Sequence, residues 1–365
     1  MKVCIIGGGI SGLSSAILFA KNGHSVTLYE QSMFEKDMVN NVPISIAYDS
    51  FIILKNLGIL ESVIEVSEKI YFFELKNFKG YGFLKHSIYD KKSFSLSVSY
   101  AVLKNILVEK SLKTKEIKIN FGVFVPKLEI EKLKLEYDLV IIAEGKIIEG
   151  VNYCMLGKDV ISSCLVIDDK YGSQNYKSAI LDIHGNILIK SSIGIINGKR
   201  MICFNWVDFK NKFISKEDFI KLISNYIGSG FLEKLKESEM NSVIEKSYQI
   251  KEMVVDNSVY IGYSAFNINQ LNNTSINTSF KDAFILSEII GEGIKIKEGL
   301  KEFEEKRIEK RNIKINNIRL FNFKNGIGKD KLAWLYLILN GYLRPLFLRK
   351  RKSKIVNDLI SGKLD

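Results

Sequence analysis

The sequence predicts an α/β chain: a doubly wound, Rossmann-like domain on a parallel sheet, with an inserted mixed α+β domain and a C-terminal helical region. Three observations predict it. The first thirty residues read as strand, glycine-rich turn, helix and strand. Short apolar runs of the kind buried on both faces recur near 139–142 and 259–262. Helical spacings long enough for crossovers lie between such runs. A chain of 365 residues, 46% hydrophobic, has the means to bury a core for two connected domains.

The opening segment carries the most chemistry. The run MKVCII is followed by Gly7, Gly8, Gly9, Ile10, Ser11 and Gly12, then by helical spacing of Leu13, Ala16, Ile17, Phe19 and Ala20, then by Gly23 and a second apolar strand ending at Glu30. Gly7, Gly9 and Gly12 make a GxGxxG spacing inside a βαβ unit. The first glycine permits the tight turn, the second lets backbone approach a pyrophosphate, and the third lets helix and strand pack closely. The helix N-terminus offers N–H groups to phosphate, and Glu30 can accept from a ribose diol. Gly7, Gly9, Ile10, Ser11, Gly12, Glu30 and the adjoining Gln31 are therefore candidate dinucleotide contacts, set against a glycine-rich turn with no ligand.

Further elements follow in order. Residues 50–60 have helical spacing that stops near Gly58, 71–82 and 93–98 read as strands, and 100–113 as a helix with Val102, Leu103, Ile106 and Leu107 inward. Residues 118–125 are strand-like. The alternation of Leu128, Ile130, Leu133 and Leu135 suggests a small β-meander leading to a buried strand at 138–143, with Glu144 and Gly145 after it. Residues 155–250 read as a mixed sheet and helix layer with a helix at 216–226. A buried strand at 259–262 and a helix at 277–290 follow. No repeat or low-complexity linker appears. The expected division is a discontinuous dinucleotide domain (1–70, 97–155, 252–292), a substrate domain (71–96, 156–251) and a C-terminal helical region (293–365).

Composition narrows the function. The four cysteines show no CxxC spacing, so buried free thiols in a reducing compartment are expected. His24, His86 and His184 are not spaced as metal ligands, so no metal site is expected. The first six residues lack the pattern of a signal peptide and are needed as strand one, which points to a cytoplasmic chain. From residue 295 onward there are 19 Lys and Arg against 8 Asp and Glu, so that stretch holds +11 of the net +12. A solvated helix face is the ordinary reading of such charge and no nucleic-acid partner is expected. Residues 332–348 are apolar but interrupted by Asn340, Gly341, Arg344 and Pro345, too broken to span a bilayer. With the basic run 349–352 behind them, peripheral membrane contact is the alternative to packing against the body. His184 reads as a packing or turn residue, and Trp206 as a strand aromatic facing the core or a substrate cavity. No Ser/His/Asp arrangement or carboxylate pair nominates catalytic residues.

Taken in order, these segments resemble the FAD-dependent monooxygenases of the p-hydroxybenzoate hydroxylase-like, or flavoprotein aromatic hydroxylase, family over nearly the whole chain. The first segment matches its N-terminal FAD fingerprint. Residues 43–58 resemble the stretch that ends in Leu-Gly, with Tyr48, Asp49 and Ser50 in place of the usual Pro-Asn-Ala. Residues 98–103 occupy the Val-x-Arg-x-x-Leu position, with Tyr100 where an arginine normally contacts the cofactor. Ala143, Glu144 and Gly145 resemble the Ala-Asp-Gly motif. Residues 259–283 parallel the second FAD motif: Asn277, Asp282 and Ala283 match, whereas Tyr263 replaces its aspartate, Phe266 its histidine, Gln270 its proline, and 271–275 its glycine-rich turn. The resemblance implies FAD, held by the fingerprint residues with Tyr100, Val125, Glu144, Gly145, Tyr263 and Asn277. It also implies NAD(P)H as transient reductant and an aromatic or other small organic substrate, hydroxylated through a flavin C4a-hydroperoxide. Two other classes fit the residues: a reductase or dehydrogenase resembling the geranylgeranyl reductases, with a lipid-like substrate, and a non-catalytic paralogue that has lost flavin, for which Tyr100, Tyr263 and the missing glycine turn are the evidence.

Overall fold

A computed structural model describes residues 1–33, 42–77, 82–87, 94–145, 151–156, 160–168, 176–181, 187–196, 199–208, 214–224, 229–267, 274–291 and 295–321. The chain divides into two units, one of residues 1–67, 98–158 and 246–309, the other of 68–97, 159–245 and 310–365.

The first unit is built on a parallel sheet. Strand β1 (Lys2–Ile6) lies between β2 (Ser25–Glu30) and the strand Leu139–Ile142; Ile117–Phe121 extends the sheet beyond β2, and Ser258–Tyr260 extends it beyond Leu139–Ile142. A short antiparallel strand, Val254–Val255, closes that side. The predicted strand near 259–262 thus joins the sheet begun by β1. Val3, Cys4, Ile5 and all of Leu139–Ile142 are buried, as expected of strands covered on both faces. Helix α1 (Ile10–Lys21) is buried all round from Ile10 to Ala20 and packs against the helices Thr274–Gly291 and Tyr100–Leu112. A helix apolar on every side needs such enclosure. Ser99 caps Tyr100–Leu112, its Oγ accepting from the Val102 amide at 3.4 Å. The helix Phe51–Leu57 ends at Gly58, whose φ of +69° is the left-handed conformation a helix end favours.

One expectation is corrected here. Residues Lys127–Glu136 form a helix, not a β-meander. Leu128 and Leu135 are 82% and 89% exposed, whereas Ile130 and Leu133 are buried, so the inward pair is spaced i, i+3 rather than i, i+2. The charges share that spacing: Glu129 with Lys132 at 2.8 Å and Glu131 with Lys134 at 2.9 Å. Such pairs meet on a helix surface and not along a strand. Counting four leucine-type residues as equally inward produced the false period of two.

The second unit holds a mostly antiparallel sheet. Its strands run in the order Met240–Glu245, Val160–Asp168, Lys199–Asp208, Ile187–Ile196, Tyr176–Leu181, Phe72–Asn77 and Gly82–Ser87, with only the contact of Tyr176–Leu181 and Phe72–Asn77 parallel among these neighbours. Trp206 is 1% exposed and stacks on Phe219 of the helix Lys216–Ile223, centroids 3.8 Å apart, within a core that includes Leu165, Phe204, Ile223 and Leu235. Of the two readings for Trp206, the core is the one observed. His184, Gln270 and residues 271–273, 332–348 and 349–352 lie outside the described residues. No described helix is long and apolar enough to cross a membrane.

Candidate functional site

Strand register creates the site. Ile6 pairs with Ile142, and Ile142 with Tyr260, so the residues that follow these three leave the same carboxyl edge side by side. In doubly wound sheets that edge is where ligands bind. The three fingerprint glycines then separate by role. Gly7 has φ +104°, and a Cβ there would overlap the Ala143 carbonyl; a Cβ on Gly12 would overlap the Gly7 carbonyl. Both serve close packing of the protein on itself. Gly9, the N-cap of α1, is different, because a Cβ there meets only the Tyr100 hydroxyl, at 3.9 Å, among the described residues. Its N-cap makes no side-chain hydrogen bond and the first turn of α1 carries no acid. The helix amides from Ile10 and Ser11 onward therefore face an edge suited to an anion.

Glu30, at the end of β2, is 9% exposed and turned under the loop. Its Oε2 accepts from the Gly8 amide at 2.5 Å and its Oε1 from the Ser32 amide at 2.9 Å. A carboxylate has roughly four acceptor directions, so two amides leave capacity for a diol. Gln31 follows, exposed. Val125 is buried with Cys4, Ile6, Ile130, Val140 and Ile142, and its structural environment is this core cluster. In the same cluster burial, with the nearby Glu136, pushes the Cys4 thiol up to about 12, and burial first, then Tyr137, raises the Tyr29 phenol.

The other half of the edge is braced by side chains. Gly262 has φ +58°, and a Cβ there would overlap the Ser11 hydroxyl, so the 262–264 turn lies against the start of α1. The Gly262 amide donates to Asp282 Oδ2 at 2.8 Å, and the Gly145 amide, at a residue with φ +74°, donates to Ser264 Oγ at 3.1 Å. Tyr263 is half-buried and its carbonyl accepts from the Tyr248 hydroxyl. Burial, then Tyr263, pushes the Tyr248 phenol up, so it stays a protonated donor. Glu144 is half-buried; after burial and Glu131 it is a further cause raising Tyr260. Asn277 is buried and binds one segment with three hydrogen bonds: its Oδ1 accepts from the Ala47 amide at 2.9 Å and the Ser50 hydroxyl at 2.8 Å, and its Nδ2 donates to the Ser45 carbonyl at 3.1 Å.

Thus Gly7, Gly9, Ser11, Gly12, Tyr100 and the 262–264 turn are brought together; Gly145 is tied to that turn, Asn277 holds residues 45–50, and Val125 sits in the core. Sequence reasoning did not single out Ser264, Tyr248 or Arg307 for the site, and it treated Asp282 only as part of a motif. Their contacts span 15 to 119 residues of chain, and no local pattern announces them. Among the described residues no group of three His, Cys, Asp or Glu side chains is placed to hold a metal ion.

Residues 2–36 match the family described as FAD dependent oxidoreductase (DAO). No curated protein sequence matches the chain. Among solved structures, 2-methyl-3-hydroxypyridine-5-carboxylic acid oxygenase superposes with a TM-score of 0.72 at 14% identity, covering 95% of this chain and 98% of that one. PqsL, a probable FAD-dependent monooxygenase from Pseudomonas aeruginosa, gives 0.70 at 13% identity over 87% and 94% of the two chains. The tetracycline destructase Tet(51) gives 0.60 at 13% over 94% and 96%. The resemblance drawn from the motifs and the expected fold class are borne out: the chain shares its fold with an oxygenase and a probable FAD-dependent monooxygenase, and its residues 2–36 match an FAD dependent oxidoreductase model.

Proposed function

We propose that this chain is an FAD-dependent monooxygenase that uses NAD(P)H as reductant and acts on an aromatic or other small organic substrate. The single observation that carries this is the open approach at Gly9, between the uncapped start of α1 and the Tyr100 hydroxyl, at the carboxyl edge of the parallel sheet in a chain whose fold follows that of an oxygenase and a probable FAD-dependent monooxygenase along most of its length. In this reading the first unit is the flavin domain and the sheet of the second is the substrate domain.

The residues fit the ADP portion of the cofactor. The amides of Ile10 and Ser11 take the pyrophosphate, Gly9 gives it room, and Glu30 takes the ribose hydroxyls while keeping the Gly8 amide. The Tyr100 hydroxyl stands beside Gly9, where a neutral donor takes the place of a guanidinium. Tyr263 offers a phenol where a carboxylate is usual, and can donate or accept. When bound, FAD supplies the redox chemistry, taking reducing equivalents from NAD(P)H and activating oxygen. The chain's own residues bind, orient and exclude water, so no acid–base pair is required of them.

Titration with FAD, ADP and NAD(P), together with the flavin content of the purified protein, tests the reading. Wild type should bind FAD, and Glu30→Ala should weaken it by about 1–3 kcal/mol. Tyr263→Asp, alone or with Tyr100→Arg, should raise retained flavin by about tenfold through a charge-assisted hydrogen bond. An absence of flavin in wild type and both variants would instead favour a non-catalytic paralogue.

A further inference from the structure

We infer that Arg307 is a positioning residue for the 262–264 turn, acting through Asp282, and that it sets how tightly the site holds FAD beyond its ADP portion. The inference rests on the flavin reading above for its ligand and on three contacts for its geometry. Arg307 Nε donates to Asp282 Oδ1 at 2.6 Å, with side-chain exposures of 7% and 0%. The other oxygen of the same carboxylate accepts from the Gly262 amide at 2.8 Å. One turn earlier on the same helix, Ile296–Phe321, Glu304 Oε1 accepts from the amides of Met253 at 2.6 Å and Val254 at 3.2 Å. Glu304 and Arg307 are three residues apart and share a helix face. That face therefore anchors both the entry to the strand Ser258–Tyr260 and, through Asp282, the exit from it.

A buried ion pair is weak evidence for stability, because desolvation of both charges offsets their attraction. This pair has a second task. Ser264 accepts from the Gly145 amide, so a small shift of the turn reaches the Glu144–Gly145 turn that follows the strand Leu139–Ile142. Arg307 holds the Asp282 carboxylate in one orientation, and Asp282 fixes the Gly262 amide. The ADP contacts at Gly9 and Glu30 do not depend on that carboxylate, so its loss should fall selectively on the remainder of the cofactor.

The test uses the full chain with Arg307→Met and with Arg307→Met combined with Asp282→Asn. The double variant removes both charges of the pair, and the asparagine oxygen still accepts from Gly262. In Arg307→Met, FAD affinity should fall about tenfold or more while ADP affinity stays within about twofold. Amide exchange should rise in the segment 258–266 and stay unchanged in 25–30. The double variant should recover most of the FAD affinity, and it carries the test if the single variant does not fold. Parallel losses of FAD and ADP affinity, or unchanged exchange at 258–266, would overturn the inference. Wild type that binds no FAD would overturn the flavin reading instead, and the exchange comparison then decides the role of Arg307 by itself.

Discussion

The two halves of the cofactor edge are held by different means. The loop from Gly7 to Glu30 is built of backbone: its closest approaches are of main chain to main chain, Gly7 against Ala143 and Gly12 against Gly7, and its one buried carboxylate holds the Gly8 amide. The turn from Gly262 to Ser264 is built of side chains, in which Asp282, Arg307, Ser264 and Tyr248 fix a short piece of backbone. The first half follows a fingerprint and departs from it nowhere. The second carries the departures, Tyr263 and Phe266 among them, yet is densely hydrogen-bonded. A motif written in backbone geometry can vary little, because the space belongs to main chain; a turn held by side chains can exchange members and remain in place.

Gly12→Ala should have the largest effect, since its Cβ would overlap the Gly7 carbonyl. A loss of about 3 kcal/mol in urea unfolding is expected. The same variant should expose Cys4 to alkylation, a thiol that burial pushes up to about 12 and that should stay unlabelled in wild type while the exposed Cys154 reacts. Asn277→Ala tests the braced half. It leaves the Ala47 amide, the Ser50 hydroxyl and the Ser45 carbonyl without their partner and should cost about 2–3 kcal/mol. If Gly12→Ala proved the milder of the two, the distinction between backbone-built and side-chain-built halves would not stand.

Gly9→Val sharpens the comparison from the ligand side. Gly9 has φ −78° and ψ −173°, an extended conformation open to any residue, and space for a Cβ. Stability should therefore change by less than about 0.5 kcal/mol, whereas ADP and FAD affinity should both fall at least about tenfold. The smallest effect concerns His24, in the turn between α1 and β2. Burial first, and the N-terminal ammonium second, hold its imidazole below the ordinary value of 6.5. As pH falls the unfolded chain takes up the proton first, so the stability contributed by neutral His24 is present above about 6.5 and lost as pH drops towards the folded value. His24→Asn should flatten that shallow slope in thermal unfolding between about pH 7 and 5 and leave the ratio of FAD to ADP affinity unchanged.

Legibility in the sequence followed the same divide. β1 and the strand Leu139–Ile142 were readable because burial on both faces demands uninterrupted apolar residues, and α1 and β2 because Gly7 to Gly12 and Gly23 punctuate their ends. The helix Lys127–Glu136 was misread because its exposed Leu128 and Leu135 carry the same apolar signal as the buried Ile130 and Leu133. Hydropathy records what a residue prefers, not where it is placed; the i, i+3 charge pairs were the better guide.

By itself the sequence determined the nucleotide fingerprint, since the freedom to adopt positive φ, used at Gly7, and the absence of a Cβ at Gly9 and Gly12 are properties of glycine that hold in any environment. Only the tertiary structure decided which polar side chains serve the second half of the edge. Arg307 looks like any other cation on a charged helix until Asp282 is found 2.6 Å from it, and Asn277 like any helical asparagine until Ala47 and Ser50 close on it. The reason is energetic: a charge or amide in water gains little from a partner, but once buried it must have one, and burial is a property of the packed chain rather than of any segment of it.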